Sequence, residues 1–293
     1  MFQFFALIVF YVFFFVSLFS EEEVTKDPIV IVSISPYAYF VKAIAQESVK
    51  IVTLVPSGTS FHHYEPTPKQ VLEACQADIW FQIGETFEQR ADRALHNCNS
   101  SLKIVDLRKG VDLINEEGCA HCLQKGADLH IWLSLRQAKT QAKAIAQALI
   151  ERYPLHAQEY QARLQLFLKT CDDLDAEILD LLKPLSNRTI LVSHAAYAYF
   201  ARDYSLIQLP IEYEGKDPSP KQLHTLLNRA RELHIDKIYV QPQHSIKGAQ
   251  MLAKTLNARL ITLDPYSADY IETLRNIAYN IADTPCQKKT QLK

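Results

Sequence analysis

Glycine is scarce in this 293-residue chain, with seven in all, at positions 58, 84, 110, 118, 126, 215 and 248. None falls at the spacing of G-x-G-x-x-G or of G-x-x-x-x-G-K. Both common backbone cradles for phosphate are therefore missing, which disfavours nucleotide chemistry. Net charge is scarce as well: 31 Lys+Arg stand against 33 Asp+Glu, a formal charge of −2. No long-range field gathers phosphates, so a nucleic-acid partner is not expected. Apolar residues, by contrast, make up 48% of the chain, ample for a buried core. At this length two domains are a better expectation than one.

Met1 to Ser20 carries no charge and is almost wholly apolar, and Glu21, Glu22 and Glu23 follow abruptly. Residues 1–20 read as an export signal with cleavage expected near Ser20. No cysteine lies near that boundary, which argues against a lipid anchor there. Export implies an oxidising compartment, where Cys75, Cys98, Cys119, Cys122, Cys171 and Cys286 could form up to three disulfides of unreadable connectivity. Cys119-Ala120-His121-Cys122 is a local cluster, but no second C-x-x-C follows it. A disulfide or a bystander is expected there rather than a metal knuckle.

Comparing the chain with itself exposes a duplication. Tyr37-Ala38-Tyr39-Phe40 returns as Tyr197-Ala198-Tyr199-Phe200, and Thr67-Pro68-Lys69-Gln70 returns as Ser219-Pro220-Lys221-Gln222. The second pair places a hydroxyl cap before a proline at the first helical position, so each opens a helix. Asp78–Gln82 matches Lys237–Gln241, and Lys103–Asp106 resembles Leu260–Asp264. Short apolar runs without polar alternation (Ile29–Ile34, Val49–Val55, Thr189–Val192, Ile238–Val240, Leu260–Leu263) predict mostly parallel sheets covered on both faces. The expected fold is α/β, with two Rossmann-like lobes over 27–153 and 186–293. One long helix over 154–185 joins them, its apolar residues running from Ala157 to Leu182 at near-helical period and ending near Pro184.

Doubly wound sheets bind ligands beyond the carboxyl ends of their strands. His62 lies just past one such strand, His194 and Asp264 past two others, and His130 precedes the helix expected near Leu135. Such wide spacing excludes a local metal finger; only the folded pair of lobes could gather these side chains. Three imidazoles and a carboxylate, with no thiolate, suit tetrahedral zinc. Ligation needs neutral imidazoles, so affinity is expected to fall as pH drops through the histidine range.

Gly58-x-x-x-His62-x-Tyr64-Glu65-Pro66, Asp128-x-His130-Ile131-Trp132-Leu133, Ser193-His194-x-x-Tyr197-x-Tyr199-Phe200 and Leu263-Asp264-Pro265 together resemble a known family. They look like the metal-binding substrate-binding proteins of ABC transporters, the ZnuA/TroA-like zinc and manganese receptors, over essentially residues 27 to 282. The resemblance implies that His62, His130, His194 and Asp264 are the metal ligands. It also implies Zn²⁺ as the transported cargo, with Mn²⁺ or Fe²⁺ as alternatives, because manganese-selective members carry Glu where this chain has His194. It further implies a monomeric periplasmic receptor, not an enzyme, that serves a membrane permease whose ATPase is a separate polypeptide. The chain departs from the family in having a short stretch, Lys109 to Ala127, where zinc receptors often carry a His-rich loop. It also has Gln241-Pro242-Gln243-His244 where relatives commonly have Glu-Pro-Gln. His63, Glu212, Glu214 and His244 are expected to tune or solvate the site rather than bind. A zinc hydrolase is the rival from another class, but no H-E-x-x-H pair supplies a base, and an adhesion protein on the same scaffold is a third.

Overall fold

The computed structural model describes residues 28–56, 58–59, 64–115, 127–212 and 216–284. The expected leader, Cys119, His121, Cys122 and Cys286 all lie outside them. The first lobe runs β1 (Ile29–Val32), α1 (Ser35–Ala45), β2 (Lys50–Thr53), α2 (Pro68–Ala74), β3 (Ile79–Gln82), α3 (Thr86–Cys98) and β4 (Lys103–Asp106). Two helices follow, α4 (Leu135–Arg152) and α5 (Ala157–Leu182). The second lobe repeats the pattern as β5 (Thr189–Val192), α6 (Ala198–Asp203), β6 (Ile207–Pro210), α7 (Pro220–Glu232), β7 (Lys237–Val240), α8 (Lys247–Leu256) and β8 (Arg259–Thr262), closed by α9 (Tyr270–Ile281).

Each lobe holds a four-stranded parallel sheet, ordered β2-β1-β3-β4 in the first and β6-β5-β7-β8 in the second. The identical order is the duplication seen in the sequence. Central strands are the apolar ones: Val30, Ile31 and Val32 of β1, and Ile79, Trp80 and Phe81 of β3, are shut off from solvent. The edge strands β4 and β8 are more exposed. In both sheets the order reverses beside the first strand, so the ligand crevice opens beyond β1 and β3 in one lobe and beyond β5 and β7 in the other.

Helix starts follow local chemistry. Thr67 and Ser219 accept from the backbone N–H of Gln70 and Gln222, and those glutamines accept in return from the capping residues' N–H, a reciprocal box before a proline. The predicted connecting helix forms, with Pro154–His156 as a tighter 3₁₀ turn ahead of α5. It stops at Leu182 because Pro184 has no N–H to donate and its ring crowds the preceding turn. Tyr160, Leu164, Phe167, Cys171, Leu174, Ile178 and Leu182 form its buried stripe.

That stripe lies at the seam between the lobes. The ring of Phe40 on α1 sits 5.0 Å from Phe167 on α5 and 4.7 Å from Tyr270 on α9, and one contiguous apolar core runs from Ile29 to Ile281. A smaller core lies within the second lobe, around Leu191, Ile238 and Leu252. Cys75 and Cys98 form a disulfide between the ends of α2 and α3, whereas Cys171 is a buried thiol whose pKa desolvation pushes up to about 12.

Candidate metal centre

Strand order decides which side chains meet. Along the second sheet the carboxyl ends of β6, β5, β7 and β8 lead to Glu212, His194, Gln243-His244 and Asp264 respectively. Backbone bonds hold this rim together: Ile211 and Glu212 donate to Val192 and Ser193 at 2.8 and 3.2 Å, and His244 donates to Gln241 at 3.3 Å. His130 arrives from the segment that joins the lobes. Its neighbour Trp132 is buried and donates through Nε1 to the Pro265 carbonyl at 2.8 Å, while Ser134 caps α4 through the N–H of Gln137. Tyr270 donates back to the Trp132 carbonyl at 2.6 Å. The segment carrying the histidine is thus clamped to the second lobe.

His130 and His194 face each other with ring centres 5.3 Å apart. Two imidazoles on one tetrahedral zinc, at Zn–N of about 2.0 to 2.1 Å, hold their ring centres about 5 Å apart. Each ring is oriented by a carboxylate behind it. His130 donates through Nδ1 to Asp128 at 2.8 Å, and His194 donates through Nδ1 to Glu212 at 2.6 Å. A carboxylate only accepts, so the proton sits on Nδ1 and the lone pair on Nε2 of both rings, the tautomer a metal needs. Nε2 of His130 accepts from the Tyr266 hydroxyl at 3.0 Å.

Burial is the main cause that pushes the His194 pKa down to about 4, with the Glu212 hydrogen bond opposing it. Its imidazole is therefore neutral well below the usual histidine range, so protons compete at His194 at lower pH than ordinary histidine values imply. Burial alone would raise Glu212, but hydrogen bonds from His194 and His244 outweigh it and hold the carboxylate at about 2. Burial first, then the charges of Glu85, Asp128 and Glu212, keep the Tyr266 phenol well above its ordinary value. The cleft is therefore rich in negative charge, which favours a cation over any anion.

Asp264 accepts from Gln243 Nε2 at 2.7 Å and from the Tyr266 N–H at 3.0 Å, and it sits half-buried one strand beyond His244. His62 and His63 lie outside the described residues. The two ends of their loop are clipped together, because Gln70 donates to the Leu54 carbonyl at 2.8 Å and accepts from the Tyr64 hydroxyl at 2.7 Å. Among the described residues, the donors drawn within 4.8 Å of one another belong to His194, Glu212 and His244. Glu212 and His244 were expected only to tune or solvate. Their closeness to His194 was readable only through strand order, since a 2-1-3-4 sheet sets the strand bearing His194 between the two that lead to Glu212 and His244.

Comparisons with known proteins agree with this architecture. The sequence model of a family described as "Zinc-uptake complex component A periplasmic" matches residues 30–284. A "Putative metal-binding protein" of Chlamydia muridarum is 32% identical over 263 residues, covering 89% of this chain and 93% of that protein. The "Manganese ABC transporter substrate-binding lipoprotein PsaA" of Streptococcus anginosus is 28% identical, covering 72% of this chain and 71% of that one. A crystal structure of ZnuA superposes with a TM-score of 0.83 at 35% identity, over 88% of this chain and 99% of its own.

Proposed function

We propose a cargo-capture role from one premise: the chain belongs to the family described as zinc-uptake complex component A, whose members are metal-binding substrate-binding proteins of ABC uptake systems rather than enzymes. The cargo is Zn²⁺, held between the lobes by His62, His130, His194 and Asp264 and handed to a membrane permease. The observation that carries this reading is the pairing of His130 and His194. Their rings lie 5.3 Å apart, and each has its Nδ1 proton spent on a buried or nearly buried carboxylate. That arrangement keeps both Nε2 atoms unprotonated, the form in which an imidazole can bind a metal. Imidazole-rich sites favour zinc over manganese in the Irving–Williams order.

The Cys75–Cys98 disulfide supports an extracytoplasmic, oxidising location, and with it the assignment of 1–20 as an export signal. Capture needs affinity without turnover. The clamped His130 and the carboxylates behind both rings preorganise the seat, so little ordering remains to be done when the ion arrives. A manganese cargo is the second reading, favoured by the relative named as a manganese receptor.

Isothermal titration of zinc into wild type and into His62→Ala, His130→Ala and His194→Ala tests the ligand set. At least tenfold weaker binding is expected in every variant, and unchanged binding in two of them contradicts it. Competition with Mn²⁺ separates the two cargoes: zinc should displace manganese at equal concentration, and the reverse outcome favours manganese.

A further inference from the structure

We propose that His194, Glu212 and His244 form a second seat for a divalent cation, beside the principal one and alternating with it through the shared His194. This rests on the ligand set proposed above only in that the principal seat uses Nε2 of His194. Three observations carry it. First, one ligand atom from each of the three residues lies within 4.8 Å of the other two. Second, Glu212 turns one oxygen to each ring: Oε2 is 2.6 Å from Nδ1 of His194, and Oε1 is 3.4 Å from Nδ1 of His244. Third, the side chains are nearly enclosed, at 9%, 13% and 10% exposure for His194, Glu212 and His244.

Two imidazoles and one carboxylate are a donor set for zinc and its first-row neighbours. The carboxylate already stands where it would face an ion bound to both Nδ1 atoms, and the ion would take the place of the protons now shared there. The rings must swing out of their stack for this: their centres are 3.9 Å apart at an interplanar angle of 16°, whereas two imidazoles on one tetrahedral ion hold their centres about 5 Å apart.

A neutral imidazole has a single lone pair, so His194 serves one seat at a time. The principal seat takes ligands from both lobes and the second only from the C-terminal lobe, from the ends of β5, β6 and β7. An ion held by the second seat is therefore released from the N-terminal lobe's ligands before it leaves the protein.

The test is zinc calorimetry on His62→Ala/His130→Ala/Asp264→Ala, which strips the principal seat and leaves the second intact. The expected result is one zinc equivalent bound at least a hundredfold more weakly than by wild type, with a further loss of at least tenfold when His244→Ala is added. A triple variant that melts like wild type but binds no zinc overturns the proposal, as does one whose affinity ignores His244→Ala. If the triple variant does not fold, the same comparison is made in His130→Ala alone. There a tenfold effect of His244→Ala supports the seat, and an effect below twofold overturns it. Wild-type affinity in the triple variant would instead sink the principal ligand set while leaving the second seat standing, so the two failures are distinguishable.

Discussion

At the residue scale, hydrogen bonds fix the ring of His130 at both ends. Asp128 holds its proton on Nδ1, and Nε2 accepts from the Tyr266 hydroxyl, which a metal bound as proposed would displace. A buried hydrogen bond contributes about 0.5 to 1.5 kcal/mol net. Tyr266→Phe, which removes the competitor and keeps the ring, is therefore expected to tighten zinc binding by about two- to tenfold in calorimetry. Weaker binding would mean that the hydroxyl supports the metal-bound state instead. Glu88 makes a second prediction, away from the cleft. It caps the start of α3 by accepting from the N–H groups of Ile83, Gly84 and Glu85, at 2.9, 2.6 and 3.0 Å, and from the Ser33 hydroxyl. Burial outweighs those four donors and raises its pKa from 4.5 to about 7. The folded state then holds the proton more tightly than the unfolded chain does. This contribution to stability is fully present below the unfolded pKa of 4.5 and is lost as pH rises through about 7. Chemical denaturation at the two ends of that window, with Glu88→Gln as the non-titrating reference, should differ by about 3 kcal/mol. A flat difference contradicts the assignment.

At the element scale, local signals were the legible ones. The hydroxyl-proline pairs Thr67-Pro68 and Ser219-Pro220 announced α2 and α7, and the apolar period from Ala157 to Leu182 announced α5 within a few residues. His194 and Asp264 were legible because both follow strands whose apolar runs are plain in the sequence. Glu212 and His244 were not. They stand 18 and 50 residues after His194, and nothing along the chain says that β6 and β7 flank β5. That neighbourhood comes from how the crossover helices pack. Disulfide pairing was equally unreadable, since six cysteines permit many connectivities. The Cys75–Cys98 bridge closes a loop with a sequence separation of 23 between α2 and α3. Loss of loop-closure entropy from the unfolded chain makes it worth about 3 kcal/mol. Replacing both cysteines by serine should lower the unfolding free energy by that amount in urea, and reductant should do the same to wild type while leaving the double variant unmoved.

At the scale of the whole molecule, the two lobes behave as one packed body. Phe40, Phe167, Trp132 and Tyr270 link α1, α5, the His130 segment and α9, and the Trp132–Pro265 and Tyr270–Trp132 hydrogen bonds cross the same seam. Apolar inter-lobe contact of this kind resists wide hinge opening. Metal entry and exit are then assigned to side chains and strand-end loops rather than to separation of the lobes. Phe40→Ala should cost about 3 to 5 kcal/mol. Because the core is contiguous, unfolding should stay a single transition by circular dichroism and by tryptophan fluorescence alike. Two resolved transitions, or a cost below about 1 kcal/mol, would mean that the lobes are energetically separate.

The central claim is that side chains distant along the chain close around one ion. Anomalous diffraction at the zinc edge from crystals of the zinc-loaded protein tests it most directly. The account predicts a single dominant peak in the cleft, about 2.0 to 2.2 Å from Nε2 of His130, Nε2 of His194 and an Asp264 oxygen, with His62 as the fourth ligand. A dominant peak that leaves His130 out of its coordination shell, or that lies outside the cleft, would contradict it.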